Sequence, residues 1–386
     1  MQNVKTLVAE VLNEAADILA TGRSAARVKV GITLLGSEHG PLEVLAGAEQ
    51  AQRQLPDAEV VVIGPADIET SLTKVVVSDE EEAHCAMDRM LDSGELQAAV
   101  TMHYNFPIGT STVGLVVTPG RGKKMFIATT TGTSSPDRVE GMVKNAVYGV
   151  AAAKAYGIQN PRIGILNVDG SRQVERILTE LQSRGYKMNF VSSSRSDGGV
   201  VMRGNDLLAG TPDVMVCDSL TGNLLMKLFS AYTTGGSYES LGYGYGPGVG
   251  DGYTKIINII SRASGAPVIA GAIEYAAAMA KGNLVAVAKQ EIGAAKKAGL
   301  DEIARPQKKD QPAAAAPAAA PPKKIVSKQI AGIDVLDLEN AQQLLWSKGV
   351  YAETGMGCTG PIILVAPEDL ENSLGILVEN NIISGK

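Results

Sequence analysis

Arg162-Ile163-Gly164-Ile165-Leu166-Asn167-Val168, followed at once by Asp169-Gly170-Ser171-Arg172, decides how this chain is read. A short apolar run reads as a buried strand, and the small and hydroxyl-bearing residues after it read as a loop that opens a helix. The same order recurs along the chain. Val28 to Leu35 runs into Gly36-Ser37-Glu38-His39-Gly40-Pro41, and Met125 to Thr129 runs into Thr130-Thr131-Gly132-Thr133-Ser134. Val214 to Cys217 runs into Asp218-Ser219-Leu220-Thr221-Gly222-Asn223, and Val60 to Gly64 and Ala98 to Thr101 are further short runs. Helix-like stretches of ten to twenty residues separate them. This alternation predicts an α/β fold, a largely parallel sheet covered by helices.

Ligands of such sheets sit beyond the carboxyl ends of the strands, so the loops just quoted are where chemistry is expected. Loops rich in Gly, Ser and Thr ahead of a helix offer free backbone N–H groups to an anion. Gly170-Ser171-Arg172 and Thr221-Gly222-Asn223 fit this best, and Arg172 adds a positive charge. The glycine-dense run Gly242 to Gly252 has no strand pattern before it; it is expected to be a mobile loop and not a dinucleotide fingerprint. No Walker A sequence, Gly-x-Ser-x-Gly elbow or His-Glu-x-x-His occurs.

At 386 residues the chain exceeds what one hydrophobic core usually supports, so at least two domains are expected. Aromatic residues make up only 4% and the net charge is −6, which argues against nucleic acid as a partner. Leu96 to Gly120 lacks Lys, Arg, Asp and Glu, but Thr101, His103, Asn105 and Pro107 interrupt it, so no membrane span is expected. Lys5, Glu10, Glu14 and Asp17 break up the first residues, unlike a signal peptide, which points to a cytoplasmic protein. Three cysteines at wide spacings exclude a disulfide framework, and three histidines leave little for a metal site. Cys217 ends an apolar run and reads as a small buried hydrophobe; His84 and Cys85 point to different faces of one helix, which speaks against a Cys-His dyad.

Val4, Leu7, Val8, Val11, Leu12, Ala15 and Leu19 predict an amphipathic helix over 2–22. From Arg305 to Lys324, twelve of twenty residues are Ala or Pro, which marks a linker that could span on the order of 60 Å when extended. It divides a domain of residues 1–304 from a small α+β domain of residues 325–386. There the repeat Asp337-Leu338-Glu339-Asn340 and Asp369-Leu370-Glu371-Asn372 opens two helices, each expected to run into a strand. Between them lies Thr354-Gly355-Met356-Gly357-Cys358-Thr359-Gly360-Pro361. Backbone dipoles among those glycines lower a thiol pKa, and a reactive thiol on a tethered domain has the form of a carrier arm; a tight turn that happens to hold a cysteine is the competing reading.

Pro161 to Val168 and Asp213 to Lys227 resemble motifs of the phosphate acyltransferases of phospholipid synthesis, and Gly36 to Pro41 is similar to that family's Gly-Gly-Asp-His-Ala-Pro. With its linker and Gly357-Cys358-Thr359-Gly360 tail, the whole chain resembles the family of component C alpha subunits of glycine, sarcosine and betaine reductase complexes. The resemblance implies a two-lobed fold like that of isocitrate dehydrogenase. It also implies release of an enzyme-bound acetyl thioester to phosphate, yielding acetyl phosphate. Its implied partners are the component C beta subunit, the selenoprotein component A and inorganic phosphate as co-substrate, with no cofactor or metal and with room for a homo-oligomer. On this reading Cys358 carries the acetyl group. His39 assists the phosphate or the oxyanion, and Thr133, Gly170, Ser171, Arg172, Asp218, Thr221, Gly222 and Asn223 bind substrate and phosphate. After Ala266-Pro267-Val268-Ile269 the chain reads Ala270-Gly271-Ala272-Ile273-Glu274 where the acyltransferases carry an Ala-His-Gly-Ser-Ser-like segment, so those contacts are not carried over. That replacement favours the alternative of an inactive acyltransferase-like scaffold that holds a catalytic partner.

Overall fold

The computed structural model describes residues 27–195, 198–304, 318–333, 337–357, 360–380 and 382–383. The expected helix over 2–22, the linker residues 305–317, and Cys358 with Thr359 lie outside the described residues.

The first elements are β1 (Val28–Thr33), α1 (Pro41–Gln54), β2 (Ala58–Gly64), β3 (Thr73–Val76), α2 (Glu80–Asp92), β4 (Ala98–Thr101), β5 (Thr110–Val117) and β6 (Lys124–Thr133). They continue with α3 (Arg138–Ala155), β7 (Arg162–Leu166), α4 (Ser171–Ser183), β8 (Asn189–Phe190), β9 (Val201–Met202), α5 (Gly204–Ala209), β10 (Val214–Val216) and α6 (Ser219–Ala231). Then come β11 (Gly246–Gly250), β12 (Ile257–Ile259), α7 (Ala266–Lys281), α8 (Leu284–Lys297) and α9 (Leu300–Ile303). A second, smaller part holds β13 (Lys328–Ala331), α10 (Leu338–Ser347), β14 (Ala352–Gly357), β15 (Gly360–Val365) and α11 (Leu370–Glu379).

Twelve strands form one sheet, ordered β3-β2-β1-β4-β12-β11-β5-β6-β10-β7-β8 with β9 also on β7. Its inner strands are buried on both faces, while the edge strands β3 and β8 are partly exposed. Val60 and Val62 of β2 join the core under α1 and α7, while Val61 and Ile63 join the core on the α2 and α6 side. The fold is therefore a mixed, mostly parallel α/β sheet, as the apolar runs predicted.

The antiparallel pairings are those of β11 with β12, β11 with β5, and β5 with β6. Passing through them reverses the chain direction, so β6, β10 and β7 run opposite to β1, β2, β4 and β12. The carboxyl ends of these two parallel blocks leave opposite edges of the sheet. No short apolar run announced this reversal, because one of its two strands is Gly246-Pro247-Gly248-Val249-Gly250, the run expected to be a mobile loop. That expectation is corrected: the strand is fully buried, and its glycines leave room for its neighbours. A Cβ at Gly246 would stand 1.7 Å from the Val113 carbonyl oxygen, at Gly248 2.4 Å from the Phe106 ring, and at Gly250 2.4 Å from Thr110 Oγ1. Only a strand without side chains at these positions passes between β12 and β5.

The smaller part has a separate three-stranded antiparallel sheet, β13-β15-β14, and its own core around Ile330, Leu345, Ile363, Val365 and Leu377. Asp337 and Asp369 precede α10 and α11 as the repeat predicted. α10 is followed by β14, but no strand follows α11 among the described residues, a departure from the second half of that expectation. Residues 318–324 carry no helix or strand and lie against this part, where Ala318 N donates to Gln343 Oε1 and Lys324 pairs with Asp369 at 2.7 Å. Arg176 of α4 stands 3.6 Å from Asp337.

Candidate functional site

A cleft of about 380 Å³ opens at the carboxyl ends of β6 and β10. Its walls are the segment Gly132 to Arg138 on one side and Asp218 to Thr221 on the other, with Met142 and Asn145 of α3 at its floor. Each wall is shaped by a helix cap. Asp137 accepts from Glu140 N at 2.8 Å to begin α3, and Asp218 accepts from Thr221 N at 3.0 Å and Thr221 Oγ1 at 2.7 Å to begin α6.

Beneath the walls, Asn145 ties three strands together. Its Oδ1 accepts from Ser111 Oγ at 3.2 Å and Ser134 Oγ at 2.7 Å, and its Nδ2 donates to the Cys217 carbonyl at 3.1 Å. Asn145 is buried among the apolar residues Met142, Val143, Ala146 and Val147 of α3, and an uncharged amide in that run is the sequence signal that could have found it.

Arg138 is the cation of the cleft and was absent from the expected site. Its Nη2 donates to Asp218 Oδ2 at 3.0 Å and its Nη1 lies 3.5 Å from Asp169 Oδ2, so it joins the loops after β6, β10 and β7. Burial pushes the Asp218 carboxyl up, but its hydrogen bonds from Thr221 and the Arg138 charge outweigh that and hold it below the usual range. Asp218 is thus an ionised acceptor that orients its neighbours and has no proton to donate.

Of the expected residues, Thr133, Asp218 and Thr221 line the cleft. Gly222 lies beneath, where a Cβ would fall 1.7 Å from the Thr129 carbonyl oxygen. Gly170 ends the adjoining loop and Ser171 opens α4, linked to the cleft through Asp169 and Arg138. Gly170 adopts φ 83° and brings no side chain to cap α4, whose first-turn amides are therefore less shielded than those of α3 and α6. Arg172 turns along its own helix to Glu175 at 2.9 Å, and Asn223 faces outward from α6. Neither reaches the cleft, because one and two further helical residues rotate a side chain about 100° and 200° away.

His39 does not join this group. It follows β1 at the opposite edge of the sheet, its ring 5.1 Å from that of Tyr238. Tyr238 donates to Glu43 Oε1 at 2.7 Å, and the same carboxylate accepts from Ala266 N at 2.8 Å; the Tyr238 bond, then the Ala266 bond, hold it below its usual range. Glu38 N donates to the Arg262 carbonyl, and the Arg262 guanidinium stands 3.8 Å from Glu80. Nearby, buried Glu239 accepts from Lys227 at 2.6 Å, Ser264 Oγ at 2.8 Å and Tyr245 OH at 3.1 Å. α6 begins at the cleft and meets this second cluster through Lys227, eight residues on, about 12 Å along the helix axis. The sequence reading missed Arg262 because it passed over the short run Ile256-Ile257-Asn258-Ile259-Ile260, which Asn258 interrupts and which holds the three-residue β12.

Cys217 is fully buried with its Sγ 3.7 Å from the Thr129 carbonyl, and burial pushes its thiol up, so it is a core residue. His84 turns to Thr101 Oγ1 at 3.1 Å while Cys85 is exposed, which separates that pair as expected. Among the described residues no group of three or more His, Cys, Asp or Glu is placed to hold a metal ion, and no helix is long and apolar enough to cross a membrane.

Residues 28–364 match the family described as fatty acid synthesis protein. The chain belongs to that family. Within it, this chain is 56% identical over 386 residues, all of both chains, to the glycine/sarcosine/betaine reductase complex component C subunit alpha of Peptoclostridium acidaminophilum. It is 26% identical over 238 residues to the phosphate acyltransferase of Thermotoga petrophila, which covers 52% of this chain and 67% of that one. Among solved structures, a branched-chain phosphotransacylase from Enterococcus faecalis V583 superimposes with TM-score 0.47 at 16% identity, over 65% of this chain and 99% of that one.

Proposed function

We propose that the chain is an acyltransferase-type subunit of a glycine, sarcosine or betaine reductase complex and forms acetyl phosphate by phosphorolysis of an enzyme-bound acetyl thioester. A phosphate oxygen attacks the acyl carbon, the C–O bond forms, the C–S bond breaks, and the thiolate leaves without any redox change. Phosphate is already anionic and the thiolate is a good leaving group, so the reaction asks for positioning and charge stabilisation more than for a general base.

The observation that carries this reading is the cleft itself. It is lined by the hydroxyl-bearing residues Thr133, Ser135 and Thr221 around one guanidinium, beside the uncapped start of α4. In this reading Arg138 exchanges part of its pairing with Asp169 for the phosphate, Asp218 holds Arg138 and Thr221 in place, and Cys358 carries the acetyl group on the smaller part. Inorganic phosphate is the co-substrate and no further cofactor takes part. A second component C subunit and the selenoprotein component A supply the thioester, and the reaction is cytoplasmic. The domains fall at residues 1–304 and 325–386, with the linker between them.

A second placement of the phosphate has its own support. Arg262 is 57% exposed and only loosely paired, at 3.8 Å, whereas Arg138 already meets two carboxylates. α1 also begins at Gly40 with no side-chain cap, beside His39. In that arrangement His39 and Arg262 hold the phosphate and the cleft holds the acyl carrier.

The reverse reaction tests both. The full chain is incubated with acetyl phosphate, with and without the other component C subunit, and weighed intact. An adduct of about 42 Da that hydroxylamine removes and Cys358→Ala abolishes is the expected result. Loss of the adduct in Arg138→Ala but not Arg262→Ala favours the cleft, and the opposite pattern favours the loop after β12. No adduct under any condition leaves the scaffold alternative standing.

A further inference from the structure

We infer that the pair formed by buried Glu239 and Lys227 is a positioning device: it clamps the loop from Ser261 to Gly265 and so sets where the Arg262 guanidinium stands, without touching the ligand itself. The inference rests on the second placement of the phosphate, the one at His39 and Arg262.

The loop has little else to hold it. It leaves the three-residue β12, carries no helix or strand beyond one bridge from Ser264 to Glu239, and ends at Gly265, which brings no side chain to cap α7. The Arg262 side chain is a weak anchor, because it is largely exposed and stands 3.8 Å from Glu80.

Glu239 holds the loop through both its backbone and its side chain. Its N–H donates to the Ala263 carbonyl at 2.9 Å, and its own carbonyl accepts from Gly265 N at 2.9 Å. Its carboxylate accepts from Ser264 Oγ at 2.8 Å and from Tyr245 OH at 3.1 Å. Lys227 completes the tie from α6, donating to Glu239 at 2.6 Å and to Ser261 Oγ at 2.9 Å. Residues on both sides of Arg262 are therefore fixed to one buried ion pair.

Stability does not account for such a pair, since well-packed apolar residues of similar volume often serve as well or better. A fully satisfied polar network does rigidify what it binds. An arginine whose backbone is already in place loses less freedom when it takes up an anion, and that saving appears as affinity. Lys227 has a second effect: it balances the Glu239 charge, so that the loop offers phosphate the Arg262 charge without a bare carboxylate beside it.

Isothermal titration calorimetry of the full chain with inorganic phosphate, run beside a thermal melt, tests this. K227M/E239Q removes both charges and roughly keeps both volumes. It is expected to fold and to bind phosphate about tenfold or more weakly, the scale of one hydrogen bond to a charged group. R262A is expected to lose at least as much, and K227M alone, with the carboxylate unbalanced, should bind more weakly than K227M/E239Q. Should the double variant misfold, S264A, which removes the loop's own hydroxyl bond to Glu239, is expected to weaken phosphate binding with the fold intact. A merely structural pair would shift the melts and leave the phosphate affinity of folded variants unchanged. An R262A that binds phosphate like the unmodified chain overturns the placement and the inference with it. An R262A that loses phosphate while a folded K227M/E239Q keeps it overturns the inference alone.

Discussion

Arg138 Nη2 lies 3.0 Å from Asp218 Oδ2, although the two residues are eighty positions apart in the chain. The pair spans the cleft from the start of α3 to the start of α6. Arg138→Ala is expected to slow phosphate-dependent acyl transfer by roughly 10²-fold or more, the usual scale for losing a placed charge donor. Stability should hardly change, because an ion pair of this exposure contributes about 0–1 kcal/mol. Steady-state kinetics with phosphate varied, run beside a thermal melt, distinguishes the two effects; unchanged kinetics would remove Arg138 from the site.

Gly222 packs α6 onto β6, with a Cβ there only 1.7 Å from the Thr129 carbonyl oxygen. Gly222→Ala must push the helix outward and is expected to cost about 3 kcal/mol. Gly293 of α8 meets nothing within 4 Å, so Gly293→Ala should instead stabilise by up to about 1 kcal/mol. Urea denaturation of both variants checks the contrast, and equal effects would contradict it.

Glu239 is fully buried and takes its balancing charge from Lys227. Lys227→Met removes the cation and leaves a buried carboxylate unpaired, at an expected cost of 3–5 kcal/mol. The K227M/E239Q double variant should recover a large part of that loss, since no unpaired charge remains. Additive losses in the double-mutant cycle would show that the two residues act independently.

Asp206 is fully buried and accepts from Ser194 N, Ser193 Oγ, Ser194 Oγ, Arg203 N and Thr211 Oγ1. Burial pushes its carboxyl up, but these donors outweigh it and bring it to about 2, against 3.8 ordinarily. Asp213, paired with Arg162 and Lys123, is likewise held at about 2. A carboxyl whose folded pKa is depressed stabilises fully above its unfolded value and loses that contribution as pH falls toward the folded one. Stability should therefore decline between about pH 4 and pH 2, and Asp206→Asn should be less stable at pH 6 yet decline less over that acid range. Denaturation midpoints measured against pH test this.

What sequence determined was local. Apolar runs such as Arg162 to Leu166 state that a strand is buried on both faces, and Asp218 three residues before Thr221 states where a helix begins, because burial and capping depend on near neighbours. The cleft residues Thr133, Asp218 and Thr221 were legible for that reason, as was the repeat that opens α10 and α11. Which loops meet was not local. The glycine strand Gly246–Gly250 carries no apolar signal, yet with β5 it reverses the sheet and sends the loops of His39 and Asp218 to opposite edges. Arg138, Asn145 and Arg262 gained their partners only when strand pairing brought distant segments together. Strand direction is set by pairing across the whole sheet, and only the tertiary structure decides it.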